Sequence, residues 1–166
     1  MKRIWTAIGL LIVLMGCTEK EVEKEPKFTV KDAIKENHVV IQNLSDKVNE
    51  IMTGATKAEN LVPMFVFLDD VEADKESTLK ITIFPKNGEP TTSELHYVNK
   101  DKTIFKNNNK SFTMPIGDIE CSSILASSRN VMADGCNGKY STVLVIPFGV
   151  REYNLAKVEY KKQKNK

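Results

Sequence analysis

Cysteine is the most reactive side chain in this sequence, and its three copies fall in two different settings. Cys17 closes Leu14-Met15-Gly16-Cys17, which follows Lys2, Arg3 and an apolar run over residues 4–15. The pattern looks like a lipobox, in which small Gly16 lets a peptidase approach the scissile bond and the Cys17 thiol takes a diacylglyceryl group before cleavage. Lys2 and Arg3 supply the positive n-region and the run supplies an h-region of signal-peptide length. Twelve residues are too few to span, since a crossing helix needs about 20 apolar residues. The expected product begins at lipidated Cys17, is tied to the outer face of the cell membrane, and does not cross it. Two long acyl chains hold stably where one would be marginal, at about 0.8 kcal/mol per buried methylene.

Cys121 and Cys136 are then an even pair in an exported chain, for which a disulfide is the natural reading and two buried free thiols the alternative. They lack the Cys-x-x-Cys spacing of redox catalysis. His38 and His96 sit in no metal motif and read as ordinary strand or surface residues, although a site using both is conceivable. Asp69, Asp70, Glu72 and Asp74 miss the glycine and terminal glutamate offsets of a calcium loop, so they read as a solvated turn. Ser122-Ser123 and Ser127-Ser128 have no Gly-x-Ser-x-Gly setting, and Gly117, Gly135 and Gly138 form no phosphate-binding fingerprint. No catalytic residue, metal or cofactor is assigned, and the ligand-binding residues are unknown.

Charge narrows the partners. The chain has 24 basic and 22 acidic residues, and removing Lys2 and Arg3 equalises the two signs. No nucleic-acid footprint survives that removal. About 150 mature residues suit one domain with a real core. Arg151, Lys157, Lys161, Lys162, Lys164 and Lys166 against Glu152 and Glu159 make the last segment locally basic. That tail reads either as a solvated terminus or as a patch for anionic lipid or anionic wall polymer, worth up to about 1 kcal/mol per basic residue near a charged surface.

Four segments follow: a signal over 1–16, lipidated Cys17 with a charged tether over 17–27, a domain over 28–150, and a basic tail over 151–166. Thr29 is a candidate N-cap for a short helix with Val30, Ala33 and Ile34 at helical spacing, ended by Asn37. Residues 38–41 are strand-like. A second helix is expected from Asn43 as N-cap, through Leu44, Val48, Ile51 and Met52, to Gly54. The dense run at 64–68, after Pro63, predicts a strand. Leu79, Ile81 and Ile83 alternate with Lys80 and Thr82, and Asn87-Gly88 marks a hairpin turn into a strand with Leu95 and Tyr97. A third strand covers 103–105. Residues 116–126 read as a short helix or irregular, and 130–132 with 140–148 as a last hairpin. The fold class is α+β, an antiparallel sheet of about five strands with one or two helices packed on one face.

Taken in order, the lipobox, the charged tether, the Asn43-Leu44 helix, Lys80-Ile81-Thr82-Ile83, Asn87-Gly88-Glu89-Pro90, and Cys121 with Gly135-Cys136 resemble small uncharacterised lipoproteins of Gram-positive spore-forming bacteria, a domain of unknown function. The similarity covers roughly residues 32–147. It implies a Gram-positive surface location and carries over no catalytic residue. The expected function is a membrane-tethered, non-enzymatic binding or interaction module, with protein partner and ligand open. The alternatives are a cell-envelope hydrolase whose acids meet only in three dimensions and a purely structural or protective lipoprotein. Metabolic labelling with a palmitate analogue tests the anchor: label is expected on the wild type and absent from Cys17→Ala.

Overall fold

The computed structural model describes residues 27–109, 115–138 and 140–166. The predicted signal, Cys17 and the tether up to residue 26 lie outside the described residues. A capping box opens the first helix, α1 (Val30–Lys35), with the Thr29 side chain accepting from the Asp32 amide and the Asp32 carboxylate returning to the Thr29 amide. Asn37 then takes a positive φ of 64° and reverses the chain into β1 (Val39–Asn43).

A short helix, α2 (Val48–Met52), and a strand, β2 (Thr56–Glu59), lead to α3 (Val62–Glu72). Three long strands follow, β3 (Ser77–Phe84), β4 (Thr91–Asn99) and β5 (Lys102–Asn107). Next come β6 (Gly117–Cys121), β7 (Ser123–Ala126), β8 (Asn130–Asp134), β9 (Thr142–Pro147) and α4 (Val150–Lys164). The class is α+β. The arrangement is a six-stranded sheet in the order β2-β1-β3-β4-β5-β6 beside a three-stranded sheet in the order β7-β8-β9. The five-stranded, all-antiparallel expectation is therefore corrected to two sheets, with β1 and β3 parallel.

Side-chain alternation explains the long strands. Leu79, Leu95, Phe105 and Ile119 stand opposite one another across β3 to β6, and all four are buried. One residue along, the row Lys80, Glu94, Lys106 and Asp118 alternates in sign on the other face. Directly opposed unlike charges contribute about 0.2–1 kcal/mol per pair, so this face is stabilised while it stays wet. Ala33 and Val40 are buried outside the main core, which places α1 over part of that second face.

The predicted strand at 64–68 is the largest local misreading, because these residues lie in α3. Pro63 sits in its first turn, where no backbone donor is needed. Leu61, Met64, Phe65 and Phe67 are buried in the main cluster with Leu68 and Val71 packed against it. The parallel pairing of β1 with β3 demands a crossover; antiparallel β2 brings the chain back to the starting end of β1, and α3 carries it on to the start of β3. The reverse error holds for residues 116–126. They form β6 and β7, separated by one residue, Ser122, at which the chain leaves the large sheet for the small one. The expected second helix begins later than Asn43, which belongs to β1.

The small sheet packs Val131, Ala133, Val143, Val145 and Ile146 into the same core as α3. A bulge opposite Val131 and Met132 turns both Val145 and Ile146 inward. The Cys121–Cys136 disulfide ties the β8–β9 connection back to β6, beside a bond from the Asn137 amide to the Glu120 carbonyl. Gly135 is required there: its φ is 63°, and a β-carbon would collide with Ser122 Oγ.

The basic segment 151–166, read from sequence as a tail, is mostly α4, an ordered helix docked on α3. Phe65 lies between Tyr153 and Tyr160, with ring centroids 5.2 and 5.6 Å away. Such aromatic pairs are worth about 0.5–1.5 kcal/mol beyond burial. Most side chains of α4 are exposed, but half-buried Tyr153 and Tyr160 with buried Ala156 form a stripe among the lysines that docks the helix. Closing a loop of 15 residues stabilises a fold by roughly 3 kcal/mol. Replacing Cys121 and Cys136 together with serine is expected to cost about that much in urea unfolding. Thiol titration of the denatured, unreduced wild type should find neither cysteine free.

Candidate functional site

Two sheet edges that never pair create the largest cavity described. β2 is the outer strand of the large sheet and β9 the outer strand of the small one. Between them lies a groove of about 710 Å³, floored by Ile51 and Leu144 and closed at one end by Pro147, Phe148 and Val150. That volume falls in the range of small-ligand sites, which are mostly apolar with a few placed polar groups. The polar groups here are Thr53, Thr56 and Asn130, with one charge of each sign at Arg129 and Glu152.

The loops and helix ends explain how these groups are held. The Arg129 carbonyl accepts from the Phe148 amide at 2.9 Å, and the Arg129 amide donates to Ser127 Oγ at 3.1 Å, so the β7–β8 turn holds the arginine backbone at the rim. Glu152 lies in the first turn of α4, where a carboxylate is favoured by the helix dipole. Gly149 caps that helix, and any β-carbon there would strike the Glu152 carboxylate. Aromatic stacking of Phe148 on Tyr153, with centroids 5.8 Å apart, fixes the groove end to the α3–α4 pair.

A smaller cavity of about 220 Å³ lies between the end of α1, α3 and the start of β3, and His38 lines it with Glu36, Lys80 and Phe67. His38 is only 4% exposed. Its Nδ1 lies 2.9 Å from Thr82 Oγ1, which lies 2.9 Å from Thr92 Oγ1, and its carbonyl accepts from Asn60 Nδ2. Burial pushes the imidazole below its ordinary pKa and the Lys80 charge adds to this, while Glu36 and Glu94 oppose it. Glu36 is 3.7 Å from Nε2, too far for a hydrogen bond.

The two histidines do not share a site. His96 Nε2 pairs with Glu76 at 2.9 Å instead. The acidic stretch is likewise dispersed, and it lies in the last turns of α3 and the turn beyond rather than in a solvated turn alone. Asp69 accepts from Tyr160 and Lys164 of α4, and these bonds, Lys164 first, hold its carboxyl below the usual range. Asp70 takes Lys75 at 2.8 Å and Ser77 at 2.9 Å, which lower it in the same way. Asp74 accepts from the Tyr97 hydroxyl at 2.7 Å and the Lys100 amide at 3.0 Å. That carboxylate pushes the Tyr97 hydroxyl up to about 12. Carboxylates at a helix C-terminus oppose the macrodipole, so the lysines at 75 and 164 also offset an unfavourable placement.

Ser122 and Ser127 serve turns, bonding to Asp134 and Asn130 respectively. Among the described residues no group of three or more His, Cys, Asp or Glu is placed to hold a metal ion. A scan against family models finds no match, and searches of curated proteins and of solved structures find none either.

None of the groove residues stood out in the sequence. They come from stretches near 51–56, 129–130 and 144–152, each of which reads as ordinary turn, strand or helix start. Only the failure of β2 and β9 to pair brings them together. The buried state of His38 was also missed, because its cover, α1 and Phe28, is set by tertiary packing.

His38 yields a pH prediction. Its folded pKa lies below the unfolded value near 6.5, so as pH falls through that value the unfolded chain binds a proton that the folded chain refuses. Stability is therefore fully present above about pH 6.5 and declines beneath it until the folded value is reached. Melting temperature between about pH 7.5 and pH 5 should fall more steeply in the wild type than in His38→Asn. Parallel profiles would remove this account.

Proposed function

We propose that this chain is a bacterial surface lipoprotein, exported and held to the outer face of the cell membrane by lipid on Cys17. It acts there as a non-enzymatic binding module whose ligand occupies the groove between β2 and β9. The observation that carries the binding reading is the groove itself: an apolar floor, three neutral polar side chains, and Arg129 facing the same space as Glu152. Such a lining suits a ligand with an apolar body and a polar part that is neutral or zwitterionic. No serine, cysteine, histidine or lysine lines it. The anchor reading draws on the sequence of residues 1–17.

One observation favours the hydrolase alternative, namely a buried histidine opening on a cavity. His38 is a weak base for that task, because its Nδ1 is committed to Thr82 and its Nε2 meets no hydroxyl nucleophile among the described residues. Its contacts suit a tie between β1, β3 and α1.

Leu144→Arg tests the groove, since residue 144 is half-buried on the outer side of the small sheet and an arginine there fills the floor without entering the core. Wild-type protein should show a rise in melting temperature with one fraction of envelope extract. The variant should melt at a similar temperature alone and lose that rise. Steady consumption of an extract component by the wild type would instead establish an enzyme.

A further inference from the structure

α4 is apolar on two sides. Tyr153, Ala156 and Tyr160 face α3, while Leu155 and Val158 on the opposite side are 63% and 54% exposed. Arg151, Leu155, Val158 and Lys162 recur at helical spacing and form one outward stripe, with Lys161 beside it. Glu159 sits on one flank. Arg151, Lys161 and Lys162 have no acidic partner among the described residues, whereas Lys164 is committed to Asp69.

We propose that the outward face of α4 is a docking surface for an anionic lipid bilayer. Two neighbouring aliphatic side chains flanked by unpaired cations match what an interfacial helix presents, with the aliphatics entering the acyl boundary and the cations meeting headgroup phosphates. A second copy of the chain fits poorly. An antiparallel contact along this stripe sets Arg151 against Lys162, and a symmetric interface repeats that repulsion. A soluble wall polyanion would use the cations but leaves Leu155 and Val158 unexplained.

The proposal takes its reach from the anchor reading. Cys17 lies ten residues before Lys27, which at full extension is at most about 36 Å of chain. Lys27 pairs with Glu89 beside the β3–β4 turn. A tether of that length keeps the domain close to the bilayer that holds the anchor.

The test uses residues 18–166 without lipid. Every described element lies within this stretch, as does the whole packed core. The protein is sedimented with vesicles of phosphatidylcholine containing phosphatidylglycerol, with vesicles of phosphatidylcholine alone, and titrated with soluble poly(glycerol phosphate). Binding is expected only to the anionic vesicles, and salt should weaken it. Lys161→Glu with Lys162→Glu should lower it by at least about 25-fold, and Leu155→Ser with Val158→Ser by about tenfold, with melting temperatures little changed. No binding to anionic vesicles, or equal binding to both kinds, overturns the proposal. So does poly(glycerol phosphate) binding that the serine pair leaves intact, which would assign the surface to a wall polymer. Because this protein carries no lipid, failure here is distinct from failure of palmitate labelling on Cys17.

Discussion

β1 and β3 lie side by side and point the same way, and most of the molecule follows from that pairing. Parallel neighbours cannot be joined by a tight turn, so residues 44–76 must bring the chain back to the starting end of β1 before β3 begins. β2, antiparallel to β1, makes the return along the sheet edge, and α3 carries the chain from there to β3 with Met64, Phe65 and Phe67 in the core. α3 in turn provides Phe65 and Asp69, the platform on which α4 docks through Tyr153, Tyr160 and Lys164. Without the crossover there is no surface for the C-terminal helix. Nor would β2 stand at the edge that bounds the groove.

A second constraint acts at Ser122, where the chain passes from the large sheet to the small one in one step. Two sheets that share a core but not a ladder leave four edge strands, β2 and β6 on the large sheet and β7 and β9 on the small one. At this place the edges are joined covalently on one side by Cys121–Cys136 and left open on the other between β2 and β9. The groove is a product of that asymmetry. Local devices set where its charged residues sit, Glu152 at a helix start and the Arg129 backbone in a hydrogen-bonded turn.

Polar residues do mostly structural work in the rest of the domain. Asp69, Asp70 and Asp74, clustered in sequence, point in three directions and tie α3 to α4, to its own following turn and to the β4–β5 connection. The row Lys80, Glu94, Lys106 and Asp118 keeps the open face of the sheet polar and balanced. A sheet face so patterned resists pairing with another apolar surface, whereas the outward face of α4 combines exposed aliphatics with unpaired cations.

Local chemistry was legible in the sequence wherever a residue's role depends on its near neighbours. The Thr29 cap, the Asn37 reversal, the Asn87-Gly88 turn and the alternation of Leu79, Ile81 and Ile83 all act within a few residues, and all appear in the fold as read. The pairing of Cys121 with Cys136 was legible by elimination. Residues 64–68 were not, since a short run of Met, Phe and Val satisfies strand and helix alike, and only the parallel partners on either side decide between them. The same holds for 116–126, for the burial of His38, and for the groove. Sequence by itself determined the charge balance, the turns and the class of fold, because these rest on composition and short-range sterics. Tertiary structure alone decided the crossover, the docking of α4 and the open seam between two sheets, because each depends on which distant strands share hydrogen bonds.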